Sequence, residues 1–179
     1  MCNNSLKSLE YSPNFVGEDF YCSGNYISSL DGITEHINGG LYCQDNDLKT
    51  LEHSPKYLRG DINCNLNKLT SLKGSPSKIY GNFICSNNDL TTLEYLHTDI
   101  EGLLAFNGKK ITSLKGISNN FKDITCGDNP FPEVIGNLSY DVINKLIKHQ
   151  EEYGIWNSDY SLNINRFNMF INDLKTGIL

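Results

Sequence analysis

An interval of 21 residues constrains this chain more than any other feature in it. The stretch Ile79-Tyr80-Gly81-Asn82-Phe83-Ile84-Cys85-Ser86-Asn87-Asn88-Asp89-Leu90-Thr91-Thr92-Leu93 recurs in both directions. Counting back by 21 from Cys85, Asn88, Leu90 and Leu93 reaches Cys64, Asn67, Leu69 and Leu72, then Cys43, Asn46, Leu48 and Leu51, then Cys22, Asn25, Ile27 and Leu30. One more step lands on Met1, Asn4, Leu6 and Leu9. Counting forward gives Phe106, Lys109, Ile111 and Leu114, and Cys126 with Asn129 close the series one residue early. A repeat this short cannot bury its apolar side chains alone, whereas stacked copies can. A solenoid is therefore predicted, each rung held chiefly by its neighbours.

Within a copy, apolar residues alternate ahead of the Asn, as in Phe20 and Cys22, Leu41 and Cys43, Ile62 and Cys64, and Phe83 and Cys85. Alternation over so few residues predicts short strands. A further apolar residue stands six before the core position (Val16, Ile37, Leu58, Ile79, Ile100), and a glycine four before it (Gly39, Gly60, Gly81, Gly102). Those glycines imply a backbone approach that a Cβ obstructs. The return path carries Pro13, Pro55 and Pro76 with Gly32, Gly74 and Gly116, which argues against helix there. An extended or briefly 3-10 outer side is expected.

The recurrent Asn (Asn4, Asn25, Asn46, Asn67, Asn88, Asn129) is read as an interior ladder, because a short amide satisfies backbone donors and acceptors where a chain turns. Cys22, Cys43, Cys64 and Cys85 repeat at one position, unlike the close pairs that zinc sites use. They are read as a column of reduced core residues, consistent with Phe106 taking the same place. Cys2 falls one position past that column and is the one thiol expected to be reactive. After Asn129-Pro130-Phe131-Pro132 the pattern stops. Ile143, Leu146, Ile147 and Tyr153 then predict a helix opened by Ser139 and closed by Gly154, and Phe167, Phe170, Ile171 and Leu174 predict a second, ended by Gly177. Trp156 is read as core between the two.

The positions of Tyr80, Phe83, Cys85, Asn88 and Leu90 resemble the leucine-rich repeat, L-x-x-L-x-L-x-x-N-x-L, of the short bacterial type. The Asn- and Lys-rich wording, the strand cysteine, and the tail from Tyr153-Gly154-Ile155-Trp156 through Phe167 look most like small repeat proteins of tailed bacteriophages. The expected fold is mainly β with α: a leucine-rich-repeat solenoid with a parallel sheet of about six to seven short strands over residues 1–131, and a two-helix cap over residues 132–179.

Function classes narrow by composition. A net charge of −6 disfavours nucleic acid, whose backbone is held by clustered Lys and Arg. No run of 18 apolar residues spans a membrane. The first residues lack the basic and apolar regions of a secretory signal, so a cytoplasmic location is expected, that of a bacterial host if the chain is phage-encoded. His36, His53, His97 and His149 lie at unrelated repeat positions, and neither a catalytic set nor a phosphate-binding loop is visible. No enzyme activity, cofactor or metal is expected. Asp19, Asp61 and Asp123, with Asp45 and Asp128, read as a solvated acidic face.

The outward strand positions include Tyr21 and Ser23, Tyr42 and Gln44, Asn63 and Asn65, Ile84 and Ser86, and Ala105 and Asn107. The resemblance implies that this face binds a protein, with candidate contacts Asp19, Tyr21, Tyr42, Gln44, Asp61, Asn63, Leu66, Ile84 and Leu103. The expected partner is a host protein, for example a regulatory or antiviral-defence component. The alternative is a self-assembling or virion-associated scaffold that pairs through an exposed edge at residues 19–23, unless residues 1–10 shield it.

Overall fold

The computed structural model describes residues 2–96, 98–108, 110–117, 120–127 and 129–179. Met1, His97, Lys109 and Asp128, each of which bears on an expectation above, lie outside the described residues.

The repeat becomes a parallel-strand solenoid. Strands β1 (Phe20–Tyr21), β2 (Leu41–Tyr42), β4 (Ile62–Asn63), β6 (Phe83–Ile84), β8 (Leu103–Ala105) and β9 (Asp123–Thr125) form one six-stranded sheet in that order. Its register is the sequence repeat itself: Phe20 lies opposite Leu41, Leu41 opposite Ile62 and Ile62 opposite Phe83. The last step pairs Leu104 with Ile124, which accommodates the shorter final copy. Hydrogen bonds continue past the named strands, with the amides of Cys22, Cys43 and Cys64 donating to the carbonyls of Tyr42, Asn63 and Ile84, each at 2.9 Å.

The apolar column six places before the cysteines builds a second ladder. Strands β3 (Tyr57–Leu58), β5 (Lys78–Ile79) and β7 (Asp99–Ile100) form a three-stranded parallel sheet, prefigured by a bridge from Val16 to Ile37. The rest of each rung is extended chain and turn, with no 3-10 helix among the described residues. Between the two sheets the backbone turns a crowded corner. A Cβ on Gly60 would stand 2.6 Å from the Gly40 amide nitrogen, and one on Gly81 would stand 2.7 Å from the Gly60 carbonyl carbon. That corner corrects one assignment: Ile79 is fully buried while Tyr80 is 50% exposed, so Ile79 and not Tyr80 supplies the first interior side chain of its copy.

The cysteine column is interior as expected. Cys22, Cys43, Cys64 and Cys85 are buried and unpaired by disulfide, and Phe106 is equally buried. Burial pushes the Cys22 and Cys85 thiols up to about 12 and raises Cys43 and Cys64 well above their ordinary range. In the unfolded chain these thiols ionise near their ordinary pKa of ~8.5 while the folded chain keeps its protons. Their contribution to stability is complete below pH ~8.5 and declines as pH rises toward the folded values. Urea midpoints should fall between pH ~8.5 and ~10 by more in the wild type than in a Cys43→Ala, Cys64→Ala double variant, because each such thiol removes about 1.4 kcal/mol per pH unit in that window.

The asparagine ladder is also realised. Asn67 Nδ2 donates to the carbonyls of Cys43 at 3.0 Å and Cys64 at 3.1 Å, and its Oδ1 accepts from the Leu48 amide at 3.0 Å. Asn46 and Asn88 repeat the pattern one rung away. Asn4 departs from it: the residue is exposed and donates to the Cys2 carbonyl at 2.7 Å. Beside the ladder the backbone enters the left-handed region at Asp45, Leu66 and Asn87, with φ between 53° and 58°. Asp and Asn accept that conformation more readily than Leu does. Leu66→Asn should stabilise the protein by about 1 kcal/mol in urea denaturation.

Three helices close the far end. Helix α1 (Glu133–Gly136) is a single turn after Pro132 that the periodicity did not announce. Helix α2 (Tyr140–Tyr153) begins at Ser139, whose side chain accepts from the Val142 amide, and stops at Gly154 with φ 58°. Helix α3 (Ile164–Lys175) is capped by Asn163. Trp156 is 8% exposed and donates from Nε1 to Gln150 Oε1 at 2.8 Å, while Gln150 Nε2 donates to the Ile117 carbonyl at 3.1 Å. This buried relay fastens the helices to the last rungs.

Candidate binding face

The solvent side of the six-stranded sheet is ordered by the repeat into parallel columns. One runs Tyr21, Tyr42, Asn63, Ile84, Ala105, Thr125, and the column before it Asp19, Gly40, Asp61, Asn82, Leu103, Asp123. Parallel sheets are normally covered on both faces. Here Tyr21 is 47% exposed, and Tyr42, Asn63, Ile84 and Leu103 are partly buried. Ala105 and Ser86, also expected outward, are buried beneath their neighbours.

Tyr21 and Tyr42 stack with ring centroids 4.7 Å apart and planes 12° from parallel. Their register leaves them one strand spacing apart, a stacking distance for aromatic rings. The Tyr21 hydroxyl donates to Asp19 Oδ2 at 2.7 Å, which pushes the phenol up to about 12. The Tyr42 hydroxyl reaches Asp61 Oδ2 at 3.5 Å, and burial raises its pKa.

Asp19 and Asp61 have a second task that sequence reasoning missed. Asp19 Oδ1 accepts from the Gly40 amide and Asp61 Oδ1 from the Asn82 amide, both at 2.7 Å. Asn82 Oδ1 does the same for the Leu103 amide at 2.8 Å. These side chains therefore hold the crowded corner of the following rung, and the bond from Gly40 holds Asp19 below the usual carboxylate range. The spacing of 42 residues between Asp19 and Asp61, with Asn82 a single repeat beyond, was the available signal.

Gln44, Asn65 and Asn107 occupy the column on the other side of the tyrosines. Their side-chain oxygens Oε1, Oδ1 and Oδ1 have no hydrogen-bond partner among the described residues. Asn63 Oδ1 accepts from the Asn65 amide at 3.1 Å. Leu66, 56% exposed, follows Asn65 at the repeat position of Asp45 and Asn87. Eight of the nine candidates thus lie in the three columns of one face, with Leu66 one position beyond them and Asp19 and Asp61 serving both fold and surface.

Charge differs between this face and the flank that follows it. Asp19, Asp45, Asp61 and Asp123 form no ion pair among the described residues. On the neighbouring flank Lys68 pairs with Asp47 and Lys110 with Asp89, each at 2.6 Å, and Lys73 pairs with Glu52 at 2.8 Å.

The first edge is partly occupied. The Asn3 amide donates to the Ser23 carbonyl at 2.9 Å, the Tyr26 amide to the Leu6 carbonyl at 2.9 Å, and the Leu6 amide to Asn25 Oδ1 at 3.1 Å. Cys2 is half-buried and its Sγ accepts from Ser23 Oγ at 3.1 Å. Iodoacetamide should label Cys2 in the native protein, with Cys43, Cys64 and Cys85 reacting only after denaturation. Mass spectrometry of the digested adducts reads this directly, and native labelling of Cys64 would contradict the sealed column.

Elsewhere an open cleft of about 520 Å³ lies on the cap beside Glu152, Tyr153, Arg166, Met169 and Asp173. There the Tyr153 hydroxyl donates to Asp173 at 2.6 Å, and Arg166 Nη1 donates to the Tyr153 carbonyl at 3.3 Å. Among the described residues no group of three or more His, Cys, Asp or Glu is placed to hold a metal ion, and no helix is long and apolar enough to cross a membrane.

Fold and face together define a parallel β-solenoid with C-terminal helices, the outer side of its six-stranded sheet partly open to solvent among the described residues. Comparison of the chain with protein-family models, with curated proteins and with solved structures found no significant match.

Proposed function

We propose that this chain is a non-enzymatic binding protein that engages another protein across the open face of its six-stranded sheet. The observation that carries the reading is the stacked, partly exposed pair Tyr21 and Tyr42, set among Asp19, Asp61 and Ile84 on a rigid ladder. Aromatic anchors presented on a preformed surface lose little conformational entropy on binding and dominate interface energetics. The likeness of the repeats to short bacterial leucine-rich repeats supports the same mode of action. The phage-like wording of repeats and tail makes a bacterial host protein in the cytoplasm the expected partner, for example a regulatory or antiviral-defence component.

Affinity capture from bacterial lysate tests this. Tyr21→Ala with Tyr42→Ala should reduce recovery of a stoichiometric partner at least tenfold, whereas Tyr57→Ala with Tyr80→Ala, on the smaller sheet, should leave it intact. Equal recovery by both double variants would sink the proposal.

A further inference from the structure

Resting on that reading, we infer that the open sheet face recognises a basic polypeptide segment in the polyproline II conformation, carrying Arg or Lys at every third residue. Charge is the first argument. The three columns that make up the face contain Asp19, Asp61 and Asp123 and no Lys or Arg among the described residues, and these three carboxylates form no ion pair there while Asp47 and Asp89 on the flank are neutralised. A surface that keeps its negative charge uncompensated beside a salt-bridged one is complementary to a cationic partner.

Spacing is the second argument. Asp19 and Asp61 share a column two rungs apart, which at ~4.8 Å per strand separates them by about 9.6 Å along the stack. Three residues of polyproline II advance about 9.3 Å and return to the same face of the segment. A β-strand does not match, since its residues i and i+3 point to opposite sides. Cations three residues apart in a polyproline II segment therefore meet Asp19 and Asp61 in register.

Between the carboxylates lies the stacked pair Tyr21 and Tyr42, the kind of aromatic platform on which proline-rich segments dock. A guanidinium also stacks favourably on such rings. The amide oxygens of Gln44, Asn65 and Asn107 find no donor in the chain among the described residues. All three are enclosed in the free protein, so recognition of the peptide rests on the carboxylates and the tyrosine pair.

Fluorescence anisotropy with labelled synthetic peptides tests the inference. A peptide of four consecutive Arg-Pro-Pro triplets should bind at least tenfold tighter than one in which all four arginines precede all eight prolines, which has the same composition in the wrong register. Affinity for the triplet peptide should also fall as salt rises. Asp19→Asn with Asp61→Asn should weaken the triplet peptide at least tenfold while the protein still unfolds cooperatively in urea, because Asn82 already holds the same corner with an amide. Equal binding of the two peptides, or an unchanged affinity in the double variant, would overturn the basic-segment inference. Sedimentation velocity supplies a further check: self-association abolished by Ile84→Arg would make a second copy the occupant and overturn the inference as well. A captured partner that is lost on Ile84→Arg but indifferent to the Asp variants would remove the basic segment and leave face binding standing. One indifferent to both would remove both.

Discussion

Asn67→Leu should lower the stability of the solenoid by about 2 kcal/mol, because it orphans the buried Leu48 amide and leaves the Cys43 and Cys64 carbonyls with only the Asn46 and Asn88 side-chain amides as side-chain donors. The amide donates to the carbonyls of Cys43 and Cys64 and accepts from the Leu48 amide, so one side chain ties together two rungs. Leucine has nearly the same size, which isolates the hydrogen bonding from the packing. A buried group left without a partner costs roughly 1–3 kcal/mol, and the Leu48 amide is the one that loses its acceptor outright. The loss should appear as a lower urea midpoint. Because solenoid stability is a sum over neighbouring rungs, the transition should also broaden as the rungs before Asn67 uncouple from those after it. A drop below about 1 kcal/mol would show that the ladder is dispensable. The same substitution at Asn4, which is exposed and bonds only to the Cys2 carbonyl, should change stability by less than about 0.5 kcal/mol.

Gly74→Ala should cost about 3 kcal/mol through two separate effects at one position. The residue has φ of 84°, a conformation that an L side chain resists by about 1–2 kcal/mol. An added Cβ would also collide with Glu52 Cα and with its amide nitrogen, and backbone cannot swing aside as a flexible side chain can. Gly116→Ala provides the internal control. Its φ of 83° is the same, yet the nearest backbone atom, Glu94 Cα, lies 3.6 Å from where the methyl would stand. The difference between the two variants in thermal or urea unfolding therefore measures the clash alone. Equal losses would mean that conformation accounts for the whole cost. His53 and Tyr95 occupy the same turn with φ of 69° and 71°, so the fold already tolerates the strained conformation where space permits.

The residues differ in how openly they announced their roles. A cysteine or asparagine repeated every 21 residues was legible because identical positions in stacked rungs must share an environment. The helices were legible because Ser139, Gly154 and the apolar spacing between them are local signals, each acting within a few residues of the helix they bound. Tyr80 was misread because a linear motif does not show a corner: Gly60, Gly81 and their neighbours turn the chain so that Ile79 points in and Tyr80 out. The second sheet escaped for a related reason. Each of its strands offers a single apolar residue with no alternation around it, and only the regular stacking of Leu58, Ile79 and Ile100 makes them pair.

The candidate face shows the same division. The period alone placed Tyr21, Tyr42, Asn63 and Ile84 in one column. That Asp19 and Asp61 also brace the next rung, that the tyrosines stack, and that the amide oxygens of Gln44 and Asn65 lack partners among the described residues depended on distances across rungs. By itself the sequence determined the solenoid, its register, its interior columns and its helical end, since a strict repeat leaves stacking as the way to bury each unit's apolar side. Only the tertiary structure decided the corner, the second sheet and the dual use of the carboxylates, because these arise where backbones of successive rungs approach within a few ångströms and side chains must serve a neighbour 21 residues away.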